Sequence, residues 1–333
     1  MSIGSGLSGS FGWGEQGSAY GTRQAPAKFI RHRSCDFQPV YNRVQGEGIQ
    51  SGALGPRSDQ LVQTHQGATA SVEFDVTSLN MVQLVEQLMG GSSSAQQGGS
   101  AAYLHTFSLQ DPTTAVKLGL TLQTNVAIRG GTDKAKEIVG ARPTSATFSV
   151  GVGELLTCQM EFDGRSYDDS QSLASVSYVS GVPFHFGQAN LKLGTYSSES
   201  AVTGIRAFSC TINRPMDTEA FTFNASGLKS APVLNGLTEI TGTIEADYDA
   251  TATFEERMTD MTFSSLVFEC VSTTVIASTY YPTFRIILPG VHIEGPGQNN
   301  DGYDVPRNQW NYSWKYDGSN LPSIVIISSE TSV

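Results

Sequence analysis

The clearest patterns in the chain are two short stretches of strict alternation. Ala68 to Val76 (ATASVEFDV) alternates apolar and polar residues at period two, which predicts a half-buried strand. Glu239 to Tyr248 (EITGTIEADY) does the same. The first is followed by Leu79, Met81, Val82, Leu84, Val85, Leu88 and Met89 at helical spacing. Thr77 or Ser78 is placed to cap that helix and Gly90-Gly91 to stop it. The second is followed by Ala252 to Leu266, amphipathic through Phe254, Met258, Met261 and Leu266.

Around these lie further β-type segments. Phe29 to Phe37 reads as a strand and leads into a polar loop with Gly46, Gly48, Gly52, Gly55 and Pro56. Gly90 to Ser100 (GGSSSAQQGGS) reads as a flexible loop by composition. Tyr103 to Gln110 and Val116 to Ala127 are expected strands joined at Asp111-Pro112, and residues 145–162 a hairpin turning at Gly151 and Gly153. Later strands are expected at Ala207 to Ile212, Glu219 to Phe223, Val267 to Ala277, Phe284 to Ile293 and Ser323 to Ser328.

The order of strands, polar loop, alternating strand, helix and hairpin therefore occurs twice. Ser71–Asp75 (SVEFD) matches Thr243–Asp247 (TIEAD) at an offset of 172 residues. Ser34-Cys35 recurs as Ser209-Cys210, and Ser51-Gly52 as Ser226-Gly227, both at 175. The reading divides the chain into a Gly/Ser-rich flexible arm (1–22), a first module (23–167), a polar linker (168–175) and a second module (176–333). The arm carries Phe11, Trp13 and Tyr20, three aromatics expected to dock it on a neighbouring subunit.

Composition narrows the class. A chain of 333 residues with 39% hydrophobic residues, 16 Phe and 12 Tyr can build more than one core. A mean hydropathy of −0.16 and the absence of an 18-residue apolar run predict no transmembrane helix. Residues 1–14 lack the basic and apolar regions of a signal peptide, so synthesis in a cytoplasm is expected. Cys35, Cys158, Cys210 and Cys270 are far apart and read as buried thiols. A net charge of −11 argues against a protein that grips nucleic acid, whereas it suits a conduit that must not retain phosphate.

The opening Ile3-Gly4-Ser5-Gly6-Leu7, then Phe11-Gly12-Trp13-Gly14-Glu15 and Ala19-Tyr20-Gly21-Thr22, resembles the N-terminus of phage tail tube proteins of the longer, two-module kind. The helix after Ser71–Asp75 and the stretch Thr147 to Gly164 are similar to that family's first module. Residues 295–320 match nothing recognisable in it. The resemblance implies a mainly β fold of two tandem modules. Each would have two packed antiparallel sheets forming a partial barrel, one flanking α-helix and a long hairpin. It implies a virion subunit made in the bacterial host that self-assembles into stacked rings, trimers imitating six-fold symmetry. Sheets of neighbours would join into an inner β-barrel through which DNA passes without specific binding. The implied partners are the chain itself, a tape measure protein and tail terminator or distal tail proteins. A baseplate or distal tail component, or another β-sandwich binding protein, is the alternative, with Tyr303 to Trp314 as its binding loop.

No catalytic, cofactor or metal constellation is expected. Gly4-Ser5-Gly6-Leu7-Ser8-Gly9 formally matches GxGxxG but has no preceding strand. His32, His65, His105, His185 and His292 are dispersed, and Asp163, Asp168 and Asp169 lack the spacing of a calcium loop. Ser92–Ser94 have no histidine nearby in sequence. Glu73, Asp75, Glu245 and Asp247 recur on the paired strands, and an acidic stripe lining or flanking a channel is expected of them.

Overall fold

The computed structural model describes residues 4–5, 8–49, 51–52, 54–110, 117–128, 131–247, 253–295 and 307–331. Ile3, Gly6, Leu7, Asp111-Pro112, Tyr248, Ala252 and residues 296–306 of the unmatched 295–320 stretch lie outside them. The fold is mainly β. In the first half, β1 Gly4–Ser5, β2 Phe11–Glu15, β3 Lys28–Ile30, β4 His32–Gln45 and β5 Leu61–Asp75 precede helix α1 Val82–Met89. Then come β6 Gly90–Gln96, β7 Tyr103–Leu109, β8 Leu120–Ile128, β9 Lys134–Val150, β10 Thr157–Gly164 and β11 Ser166–Asp168. In the second half, β12 Ala189–Thr195, β13 Ser198–Ala201, β14 Ile205–Asn213 and β15 Glu239–Asp247 precede α2 Thr253–Thr259. The chain ends with β16 Ser264–Val271, β17 Thr283–Glu294, β18 Arg307–Trp314 and β19 Ser323–Ser328.

The pairings in the two halves run in parallel. β4, β5, β10 and the C-terminal half of β9 are neighbours in that order, as are β14, β15, β18 and the C-terminal half of β17. The N-terminal half of β9 leaves this layer to pair β8 and β11, and that of β17 pairs β16 and β19. β2 closes on β8 and β3 as β12 closes on β16 and β13. Only β1 and the β6–β7 hairpin lack an equivalent among the described residues of the second half. The halves are joined through β14 on β9 and β19 on β7. Their buried residues form one contiguous set.

Alternation drives the layering. Val72 and Phe74 of β5, Phe148 of β9, Phe208 of β14 and Ile244 of β15 point inward and are buried. The two layers meet through Phe11 against Phe37 (centroids 6.4 Å apart) and Phe208 stacked on Phe268 (4.2 Å). Each such side chain contributes about 1.5–3 kcal/mol by leaving water.

Four sequence expectations need correction. The flexible arm of residues 1–22 is not an arm at Phe11–Glu15. That strand opens the first repeat, inside its outer layer, with Phe11 and Trp13 fully buried. Its glycines misled the compositional reading, because Gly12 and Gly14 lie so close to Phe29 and Ala25 that a Cβ would collide with them. Gly90–Gln96 is a strand on β7 and not a loop. Glu219–Phe223 makes a single bridge, Phe221 to Lys229, and is otherwise irregular. Helix α1 begins at Val82 without a side-chain cap from its own turn. Thr77 donates to the Leu79 carbonyl, and Ser78 Oγ accepts from Val182 N–H. Burial raises the Glu330 carboxyl, while Lys28 and the backbone N–H groups of Asn80 and Val82 at the start of this helix pull it down. Gly90, at φ 92°, ends the helix as expected.

Candidate functional site: a polar sheet face and two open edges

The face of β4, β5, β10, β9, β14, β15, β18 and β17 that points away from the core carries small polar and acidic side chains. One unbroken row crosses all eight strands: Ser34, Glu73, Gln159, Thr147, Thr211, Thr241, Ser313 and His292. The next row runs Asp75, Thr157, Ser149, Ser209, Thr243, Asn311 and Glu294. Hydroxyls bond one another along both rows: Thr147 with Thr211 at 2.9 Å in the first, Ser149 with Thr157 at 2.9 Å and Ser209 with Thr243 at 2.8 Å in the second. Each of these pairs uses one O–H as donor and one hydroxyl oxygen as acceptor.

The four acidic positions named from sequence lie on this face, in two places. Glu73 lies opposite Gln159 on β10, and Glu245 opposite Gln309 on β18. Asp75 and Asp247 each meet an arginine placed by a β-bulge. Arg33 is the extra residue between His32 and Ser34, and Arg206 the extra residue between Ile205 and Ala207. Arg33 Nε stands 2.7 Å from Asp75 Oδ1, an ion pair whose N–H is not aimed at the oxygen, and its Nη1 is 3.6 Å from Glu73. Arg206 Nε donates a 2.7 Å hydrogen bond to Asp247, with Arg307 3.3 Å away. The Arg206 hydrogen bond holds the Asp247 carboxyl below its ordinary range. This pairing aligns Asp36 with Ser209 at 173 residues, not 175, so Ser34-Cys35 and Ser209-Cys210 are not equivalent.

Phe11, Trp13 and Tyr20 do not form an exposed docking set. Trp13 Nε1 donates to Gln83 Oε1 at 3.2 Å inside the chain's own fold. Tyr20 is flanked by the Arg142 and Arg165 guanidinium groups, 5.0 and 5.8 Å from its ring centre. Burial pushes its phenol up to about 12.

Two edges of the eight-strand layer are open among the described residues. β4 pairs β5 on one side only. β17 pairs β18 through Val291–Glu294, while on its other side β16 stops at Ser264 opposite Val291. Inside the chain the equivalent edges are closed on each other, Phe208–Asn213 of β14 against Ser145–Val150 of β9.

The segment between β14 and β15 seals that inner junction. Lys229 Nζ lies 2.5 Å from Asp163 Oδ1, and both side chains are almost wholly buried. Burial raises the Asp163 carboxyl while the Lys229 hydrogen bond and charge oppose it. Arg142 donates to the Pro232 carbonyl at 2.7 Å, Gln66 N–H donates to the Gly227 carbonyl, and His65 packs on Phe221. Gly67 leaves the room Lys229 needs, since a Cβ there would sit 2.7 Å from Lys229 Cε.

One pairing escaped the sequence. Ser94 Oγ is 2.7 Å from His105 Nδ1, brought there by the β6–β7 ladder. His105 is fully buried and its Nε2 donates to the Glu330 carbonyl at 3.0 Å, so the ring is held neutral, with no carboxylate among the described residues to orient it as a base. Burial lowers its pKa. The four cysteines are free, and burial pushes Cys35 up to about 11 and Cys210 and Cys270 up to about 12.

A family model described as phage tail tube protein matches residues 6–305. No curated protein matches the chain.

Proposed function

Because the chain belongs to the phage tail tube proteins, a structural component of the virion tail, we propose that it closes a ring of three copies. Each chain comprises two tail-tube modules, Phe11–Asp168 and Ala189–Ser328, joined by residues 169–188. The observation that carries this reading is the pair of open edges. β4 and β14 are equivalent strands, and β14 is already paired with β9. β17 is the equivalent of β9 and has no such partner beyond Val291 among the described residues. A β4 edge of one copy meeting the β17 edge of the next repeats the junction the chain makes internally. Such a contact is heterologous, so it must close into a ring or run on as a helix. With two modules per chain, three copies imitate six-fold symmetry, and closure removes edges that otherwise invite uncontrolled pairing.

The polar face then lines the bore. Glu73, Asp75, Glu245 and Asp247 lie on it, and a hydroxyl- and carboxylate-bearing wall lets DNA pass without being held. Stacked rings would form the delivery tube, meeting a tape measure protein inside and terminator or distal tail proteins at the ends. Electron microscopy of the purified protein, with native mass measurement on its rings, tests the reading. Rings or tubes of uniform bore built from three copies are expected. Closed two-fold dimers, or the four carboxylates on the outer wall of an assembled tube, would sink it.

A further inference from the structure

The two modules differ in what covers one end of the polar face. On the first module that end is occupied: Lys229 and Pro232 of the β14–β15 segment seat on Asp163 and Arg142. On the second module the equivalent place is an open groove of about 400 Å³. Ser313 and His292 stand there where Asp163 and Arg142 stand in the first, since Asp163 pairs Arg142 on β10–β9 as Ser313 pairs His292 on β18–β17. Ser209 and Thr211 of β14, Thr241 and Thr243 of β15, Asn311 and Glu294 also line it.

We propose that this groove receives the β4–β5 hairpin of the neighbouring copy in the ring. The inference rests on the ring reading above and names the partner of its open junction. The β4–β5 connection is the equivalent of the β14–β15 segment, so the in-chain seat is its template. A copy whose β4 lies beside β17 carries its hairpin over this groove, just as β14 carries Lys229 over Asp163.

The hairpin suits the place. Its apolar residues Val40, Tyr41, Val44, Leu61 and Val62 stand 41–61% exposed. Arg43 lies over the Tyr41 ring, with no carboxylate partner among the described residues. The groove offers charge of the opposite sign. Glu294 lines it and is exposed, and Glu239 stands at the equivalent of Gly67, where Lys229 rests in the first module. His292 Nε2 is buried without a hydrogen-bond partner among the described residues.

The test uses the full-length chain in two forms, Val62→Cys and Ser313→Cys, mixed before assembly and treated with a short bifunctional thiol reagent. The native thiols do not compete, because three are buried and the fourth is largely so. Covalent dimers in isolated single rings are expected, formed only when both variants are present. Dimers that appear only in stacked tubes would place the hairpin on the next ring and overturn the proposal while leaving the ring intact. If neither variant nor the parent chain forms rings, the ring reading itself falls and takes this proposal with it. A second variant, Ser313→Trp, fills the groove. It is expected to keep the parent's unfolding midpoint and to lose ring formation. Rings at the parent's yield from that variant would also overturn the proposal.

Discussion

The β4–β5 and β14–β15 connections start from equivalent strands and end in opposite ways. β4 and β5 stay paired through thirteen residue pairs, from His32 with Phe74 to Gln45 with Leu61, and their outer half is exposed. β14 and β15 part after eight, at Asn213 and Glu239, and the chain between them folds down onto the first module. One segment makes its contact inside the chain, and on the ring proposed above the other would meet a neighbour. On that reading a duplicated chain would make one of every two ring junctions intramolecular, and the loop there carries the buried Lys229–Asp163 pair. The hairpin that would serve the other junction is extended and regular.

The largest expected effect comes from breaking the filled junction. Lys229→Ala leaves the Asp163 carboxylate buried beside Gly67 with its cation gone. Removing one member of a buried pair costs ~3–5 kcal/mol. Chemical denaturation of the unassembled chain would show a midpoint shift of that size, and pairing the change with Asp163→Asn should recover part of it. Arg43→Ala on the hairpin is expected to leave the same midpoint unmoved and to reduce ring yield. Equal destabilisation by both changes would erase the distinction between the two connections.

How much of this the sequence disclosed follows the same division. Strand alternation exposed Ala68–Val76 and Glu239–Asp247, because one side of each faces a core and the other does not, whereas Ser323–Ser328 was legible as a short apolar run, with Ile324, Val325 and Ile326 all buried. The acidic residues were legible as a recurring pair on the strands. Their arginines were not, since Arg33 and Arg206 reach them only through bulges, which carry no periodic signal. Gly12 and Gly14 made a core strand look like an arm, and serines made the edge strand Gly90–Gln96 look like a loop. The Lys229–Asp163 pair joins residues separated by 66 positions, and nothing local marks either as buried. Shared function was read through resemblance, and the open edges only through pairing.

A smaller effect belongs to the seam that has no twin, β19 on β7. His105 bonds Ser94 and the Glu330 carbonyl as a neutral ring, with Tyr103 stacked beside it and Lys28 lowering its proton affinity further. Its folded pKa is depressed below the ordinary 6.5, so the stability it contributes is complete above that pH and is lost as pH falls through the folded value. His32 is depressed by burial as well and adds to the same trend. The unfolding midpoint is expected to drop on acidification below about 6.5, and His105→Gln should flatten that part of the profile. A profile unchanged by the substitution would remove His105 from the seam's energetics.

The smallest effect is the sharpest check on equivalence. Arg33 and Arg206 occupy the same bulge in the two modules, and each faces an aspartate at 2.7 Å. Both arginine side chains are more than a third exposed, at 44% and 36%, so solvent screens either pair. Arg33→Ala and Arg206→Ala are each expected to shift the unfolding midpoint only slightly, and less at high salt. Arg206→Ala should give the larger shift, because the Arg206 N–H is aligned with Asp247 while that of Arg33 is not aligned with Asp75. The two bulges lie at opposite sides of the inner junction, far enough apart for the double variant to lose the sum of the single losses. Denaturation of all three variants at low and high salt measures this. If Arg33→Ala destabilised the unassembled chain severely and Arg206→Ala not at all, the bulges would be doing different work, and pairing alone would no longer justify treating β4 as the strand β14 repeats.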